Sequence, residues 1–234
     1  MTCSSILAEL QALGSEGYRK ILLRHGAALP CFGVKIADMK PIRTQFKKDY
    51  QLALDLYESG VYDARYLAGL IADDARMTRS DLQRWVEQAC RPLAGSIVPA
   101  VAAASQYAME MGREWIDSKM DLISTAGWTT LGGYAALSQN PEPDPQEWKP
   151  LLLRVERSIH KAPDATRYAM NGFVIAAGTY APSLTTLAEE VAARIGQVVV
   201  DMGETACQVP FAPDCLRKMR ERGLIGKKRK TLKC

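Results

Sequence analysis

A few groupings of carboxylates, aromatic rings and basic side chains along this chain could do chemistry. Trp85, Trp115, Trp128 and Trp148 offer flat faces that could stack on a planar or cationic ligand. A tryptophan at helical spacing is more often an inter-helix residue. Trp128 follows Ala126 and Gly127, small residues that let a ligand or another backbone come close. Arg167, Tyr168 and Asn171 fall on adjacent turns of one predicted helix, with Arg167 and Asn171 spaced i, i+4 on a common face. That face could meet a phosphate or a base edge, or could equally close an inter-helix hydrogen-bond cluster. Between Asp201 and Cys207 two acids and a thiol share one turn-like segment. His25 and His160 lie far away in sequence, so turn chemistry is preferred there and no metal or cofactor is expected.

The charge balance narrows the partners. The net charge is +4, but nine lysines and arginines against the single acid Glu221 crowd residues 217–234, which leaves the body at −4. A uniformly basic nucleic-acid binder is excluded; a near-neutral body with a cationic C-terminal end is what remains. Lys227, Lys228, Arg229 and Lys230 could neutralise phosphates without reading sequence, or could serve as a solubilising tail. Six cysteines lie far apart with no C-x-x-C pair, which argues for reduced thiols, Cys234 among them. Met1 to Leu10 lacks the basic start and apolar run of a signal peptide, and Ser96 to Ala104 is too short to span a bilayer. A cytoplasmic protein, associated with the nucleoid if it binds DNA, is therefore expected, with no membrane partner.

The elements that must position these groups read as helices throughout. Apolar residues recur at helical spacing, as in Leu151, Val155, Ile159 and in Leu184, Leu187, Val191, Ile195. Val198 to Val200 is the only tempting strand. Breaks are predicted at Ser59-Gly60, Asp73-Asp74, Arg91-Pro92, Gly112, Asn140-Pro141, Ala162-Pro163 and Ala181-Pro182, spacing suited to stacked helix pairs. Ser80 is a candidate cap for a helix running to Cys90, and Pro163 or Asp164 can open one running through Ala177. The expected layout is a single helical array over residues 1–216, a sub-domain break near 138–147 where three prolines fall, and a basic helix end and tail over 217–234.

Several segments together resemble the AlkD-type DNA alkylation repair family. Phe32-Gly33-Val34-Lys35, continuing to Lys40, is similar to an aromatic-Gly-Val stretch that leads into the family's DNA-side helix. The run from Leu52 to Ala68 is the most specific: it resembles a helix ending in Ser59-Gly60 followed by the helix start Asp63-Ala64-Arg65. Trp115 to Lys119, Ala126 to Trp128, Arg167 to Phe173 and Gly226 to Cys234 look like a distinct branch with a basic C-terminal ending. The resemblance implies an all-α, curved array of HEAT-like antiparallel helix pairs, an α-solenoid, that holds duplex DNA on a concave face.

The resemblance also implies a chemistry. Alkylation of a purine ring nitrogen makes the base a cationic leaving group, so a carboxylate near the sugar can stabilise the developing oxocarbenium charge. In the catalytic branch an aspartate follows a Trp-rich stretch matching Trp85, whereas here Trp85 to Ala94 contains no aspartate and Glu87 is its one carboxylate. Glu87 and Asp117 are the candidate catalytic acids; Asp117 and Asp121 also suit a helix end and a helix start. The residues expected at DNA are Lys35, Trp85, Trp128, Arg167, Tyr168, Asn171, Lys227, Lys228, Arg229 and Lys230. Two functions stay open: a duplex-DNA protein, with or without N-glycosylase activity on alkylated purines, and a non-enzymatic HEAT-like scaffold.

Overall fold

The computed structural model describes residues 2–202 and 207–233, so Glu204 and Cys234 lie outside the described residues. Among them the chain is all-α. Helices α1 (Cys3–Leu13), α2 (Glu16–Arg24) and α3 (Lys40–Gln45) are followed by α4 (Tyr50–Glu58), α5 (Tyr62–Ile71) and α6 (Arg79–Glu87). The middle comprises α7 (Arg91–Ala94), α8 (Ile97–Ala104), α9 (Ala108–Ile116) and α10 (Asp121–Ala136). The last four are α11 (Pro145–Ser158), α12 (Asp164–Tyr180), α13 (Thr185–Ile195) and α14 (Ala212–Glu221). Val198 to Val200 forms no strand, and the only β contact among the described residues is an isolated bridge between Leu137 and Arg229.

Local chemistry sets the boundaries. α6 opens at Thr78 rather than Ser80: the Asp81 amide donates to the Thr78 hydroxyl at 3.1 Å and the Thr78 amide donates back to the Asp81 carboxylate at 3.0 Å. This capping box satisfies two donors that a helix start otherwise leaves open. The helix stops at Glu87, before Cys90, because Pro92 opens the next one. Pro163 precedes α12 as expected, but the helix runs on to Tyr180. Gly112 does not break the chain. It sits inside α9, where an added Cβ would lie 2.7 Å from Leu131 Cδ2, so its role is to let α9 approach α10.

Two apolar clusters form the core, and they meet at α10 rather than at the proline-rich link. Ile123 and Ala126 belong to the first cluster, which reaches back to Ile6; Trp128, Leu131 and Ala135 belong to the second, which extends to Leu216. At Gly127 between them, a Cβ would stand 2.6 Å from the Ile116 backbone nitrogen, so α9 and α10 are in backbone contact. The link after α10 is tied down: Asn140 Nδ2 donates to the carbonyls of Ala103 at 3.0 Å and Tyr134 at 3.1 Å.

Two of the segments that carry the family resemblance, Phe32 to Val34 and Asp63 to Arg65, form one structural clasp. The fully buried carboxylate of Asp63 accepts from the amides of Phe32 at 2.5 Å and Val34 at 2.8 Å. Gly33 between them has φ +81°, and a Cβ there would stand 2.4 Å from the Ser15 carbonyl oxygen. Two residues on, the Arg65 guanidinium donates to the carbonyls of Tyr57 and Gln88 and to the Gln88 side chain, joining α4, α5 and the end of α6. Removing the Asp63 carboxylate leaves buried amides without partners, each costing about 1–3 kcal/mol. Asp63→Ala is expected to lose roughly 2–5 kcal/mol in urea unfolding, while Asp63→Asn, which restores at most one acceptor, loses less.

Candidate nucleic-acid interface

Small residues on two neighbouring helices leave an opening between the halves of the array. α10 contributes Thr129, Gly132, Gly133 and Ala136, and α12 contributes Ala165, Ala169, Gly172 and Ala176, to the floor of a cleft of about 640 Å³. A Cβ on Gly132 would be 3.3 Å from that of Ala176, so the two helices nearly touch and their contact line is low. Arg24 and His25 at the end of α2, Arg91 on α7, and Ile97 and Ala100 on α8 form one wall. Asp164, Tyr168, Asp201, Arg229 and Leu232 border the rest. The cleft thus draws on both halves of the array, which no single sequence segment could show.

Cations around the molecule divide by what holds them. Arg79 is paired with Glu110 and Glu114, Arg84 with Glu58 and Asp81, Arg113 with Glu147, and Arg194 with Glu156. Exposed pairs of this kind add little stability, but each cancels a positive charge. Arg24 and Arg91 are exposed and make no ion pair among the described residues. Arg229 is exposed and donates to the Tyr180 hydroxyl at 2.8 Å, with its guanidinium 5.8 Å from that ring. Three such arginines border the cleft beside the carboxylates of Asp164 and Asp201, and can attract an anion there; Arg157 and Arg222, exposed and also without ion pairs among the described residues, lie outside it.

Of the residues expected at DNA, few reach this cleft with a free face. Trp85 is fully buried, with its ring stacked on Tyr57 at 4.2 Å and 6°, so it offers no surface for a base. Trp115 and Trp148 are also core residues. Trp128 lies beneath the cleft floor, without accessible surface, between Phe173 at 5.1 Å and the Arg154 guanidinium at 5.6 Å. The polar face of α12 resolves into internal hydrogen bonds. Arg167 donates to the carbonyls of Ala162 and Val199, and Asn171, 1% exposed, donates to that of Pro210 at 2.8 Å. Tyr168, by contrast, is 41% exposed and stands in the cleft. Lys35 is exposed on the turn before α3, away from the cleft lining.

Neither candidate acid is in the cleft. Glu87 is exposed on α6 and accepts from Gln83 at 2.7 Å; Asp117 ends α9 and is paired with Arg154 at 2.5 Å. Asp121, the first residue of α10, accepts from the Thr166 amide and hydroxyl and fastens α10 to α12. The cleft carboxylates are Asp164, which accepts from the Asp201 amide at 3.2 Å and faces Arg167 at 3.5 Å, and Asp201. Burial with a neighbouring carboxylate pushes the Cys31 thiol up to about 11, so it is no nucleophile at neutral pH. Sequence reasoning missed Arg24, His25, Arg91 and Gly172 because they come from separate elements; no motif marks them.

The basic C-terminal segment is not a loose tail. Its backbone pairs with the end of α10, Ser138 donating to Arg229 at 2.8 Å and Arg229 to Ala136 at 2.7 Å. Lys228 donates to the carbonyls of Asn140 and Pro141. Leu232 packs over Gly133, and Lys233 crosses to the first half, where its ammonium meets Asp74 at 2.6 Å and the Ala72 carbonyl at 3.0 Å. Lys227 and Lys230 stay exposed. Burial lowers the Lys233 ammonium pKa and raises that of the Asp74 carboxyl, so in both partners desolvation outweighs the mutual attraction.

Comparison with known proteins adds to this geometry. A family model described as DNA alkylation repair enzyme matches residues 6–190. Uncharacterized proteins of Listeria innocua and Listeria monocytogenes are each 31% identical over 229 residues, covering 95% of this chain and 99% of theirs. A solved structure matches with a TM-score of 0.90 and 33% identity over 100% of both chains. It is described as a new family of proteins related to the HEAT-like repeat DNA glycosylases with affinity for branched DNA structures.

Because the Lys233–Asp74 pair is held against its own desolvation, removing one partner and replacing both should differ. Lys233→Ala, which strands a buried carboxylate, is expected to lower unfolding free energy by about 1–3 kcal/mol, and Lys233→Met with Asp74→Leu to recover most of it. A denaturant double-mutant cycle measures the difference.

Proposed function

The chain belongs to the DNA alkylation repair family, and from that premise we propose that it is a DNA-binding protein with preference for branched DNA rather than an alkylpurine glycosylase. The observation that carries this reading is the cleft rim itself, where Arg24, Arg91 and Arg229 stand exposed and without ion pairs among the described residues, against the two carboxylates Asp164 and Asp201. Phosphate oxygens are the natural partners of such rim cations. The branched preference is brought from the related structure, whose description names affinity for branched DNA. Lys227, Lys230 and the more distant Lys35 can extend phosphate contacts along the arms of a junction.

Against glycosylase chemistry stand the places of Glu87 and Asp117, both outside the cleft, and the absence of an accessible tryptophan face among the described residues. One observation supports the other reading: Asp164 is a carboxylate on the cleft, beside Tyr168. Base release from methylated duplex DNA separates the two. No release above the spontaneous rate, with DNA binding intact, is expected; release abolished by Asp164→Asn would replace this proposal with a glycosylase.

Fluorescence anisotropy on a four-way junction, a fork and a linear duplex of equal length tests the binding itself. Junction binding tighter than duplex binding is expected. Arg24→Ala and Arg91→Ala should each weaken binding to every form and lower the salt slope by about 1. Unchanged affinity and slope in both variants would place the phosphate contacts elsewhere.

A further inference from the structure

The helix floor of the cleft contains a vacancy that internal packing does not explain. Gly133 is needed because a Cβ there would meet Leu232 at 2.7 Å, whereas a Cβ on Gly172 would meet nothing within 4 Å. A glycine in mid-helix is less stable than alanine, so an open position on α12 keeps room at the expense of helix stability. One turn before it stands Tyr168, 41% exposed, on the same face of the helix. One wall carries Arg24 and Arg91, which make no ion pair among the described residues. Thr179, 4% exposed, lines the same cleft, and its hydroxyl is unpartnered among the described residues.

From this arrangement we infer that the cleft receives a single unpaired nucleotide displaced from the branch point of the DNA. The inference rests on the DNA-binding reading and names the part of the DNA that occupies the cleft. At about 640 Å³ the space belongs to the size class of clefts that enclose one small ligand, roughly 300–1,000 Å³, and is too small to enclose a duplex. A base lying over Gly172 has the Tyr168 ring as its stacking partner, and its phosphate lies toward Arg24 and Arg91. Stacking on tyrosine is tolerant of base identity, as recognition of a branch rather than a sequence requires. Fully paired DNA has no base free to enter, so the cleft favours a branch point that carries an unpaired base.

Three junctions of one sequence test this: one fully paired, one with a single unpaired 2-aminopurine at the branch point, and one with 2-aminopurine paired within an arm. The unpaired junction is expected to bind roughly tenfold tighter than the paired one, the gain of one stacked base. Fluorescence of 2-aminopurine should be quenched on binding at the branch point only. Gly172→Phe, which fills the vacancy, and Tyr168→Ala should abolish both the preference and the quench, with affinity for the fully paired junction held within about twofold. Gly172→Ala serves as the folding control, since its Cβ enters open space, and should keep both signals. Junction binding without preference or quench, or signals that survive Gly172→Phe, would overturn the inference and leave the DNA-binding reading standing. No binding to any of the three would overturn both.

Discussion

Backbone contact along α10 is the constraint on which the molecule depends. Gly127 lets α9 approach until a Cβ would stand 2.6 Å from a main-chain nitrogen, and Gly132 does the same toward α12 at 3.3 Å. Because this helix supplies residues to both apolar clusters, its position fixes how the two halves of the array meet. The same small residues that permit close packing leave no side chains to fill the surface above it. The α10 side of the cleft thus follows from how that helix must pack, while the open position at Gly172 on α12 does not.

Other polar groups in the interior serve the same end. Asp63 ties the loop around Gly33 to α5, Arg65 binds α4 to the end of α6, and Asp121 fastens α10 to α12. Each satisfies backbone groups that would otherwise be buried without partners. The C-terminal segment closes the set by running from the second half back to Asp74 in the first. Its cations are divided between internal contacts, as at Lys228 and Lys233, and exposed positions, as at Lys227 and Lys230. A run that is uniform in composition therefore does two different jobs.

The family's motif residues illustrate what a pattern can and cannot convey. Phe32-Gly33-Val34 and Asp63-Ala64-Arg65 are legible as a family signature, and the structure explains their spacing as one hydrogen-bonded clasp. Trp85 reads equally well as a stacking face or a core residue, and burial against Tyr57 decides for the core. Arg167, Tyr168 and Asn171 read as one polar face, yet a rotation of 100° per residue sends Tyr168 to the cleft and the other two to internal carbonyls.

The all-helical class, the family and the helix breaks at Ser59-Gly60, Asp73-Asp74, Asn140-Pro141, Ala162-Pro163 and Ala181-Pro182 were determined by the sequence alone, because apolar periodicity, prolines and caps act over a few neighbouring residues. The cleft was decided only by tertiary structure. Arg24, Arg91, Tyr168, Gly172 and Arg229 come from three helices and one terminal segment, and only the packing of α10 against its neighbours brings them together. Whether an arginine is free or cancelled is decided there as well. Arg24 and Arg194 are alike in the sequence, and what separates them is that Glu156, 38 residues from Arg194 along the chain, is folded against it.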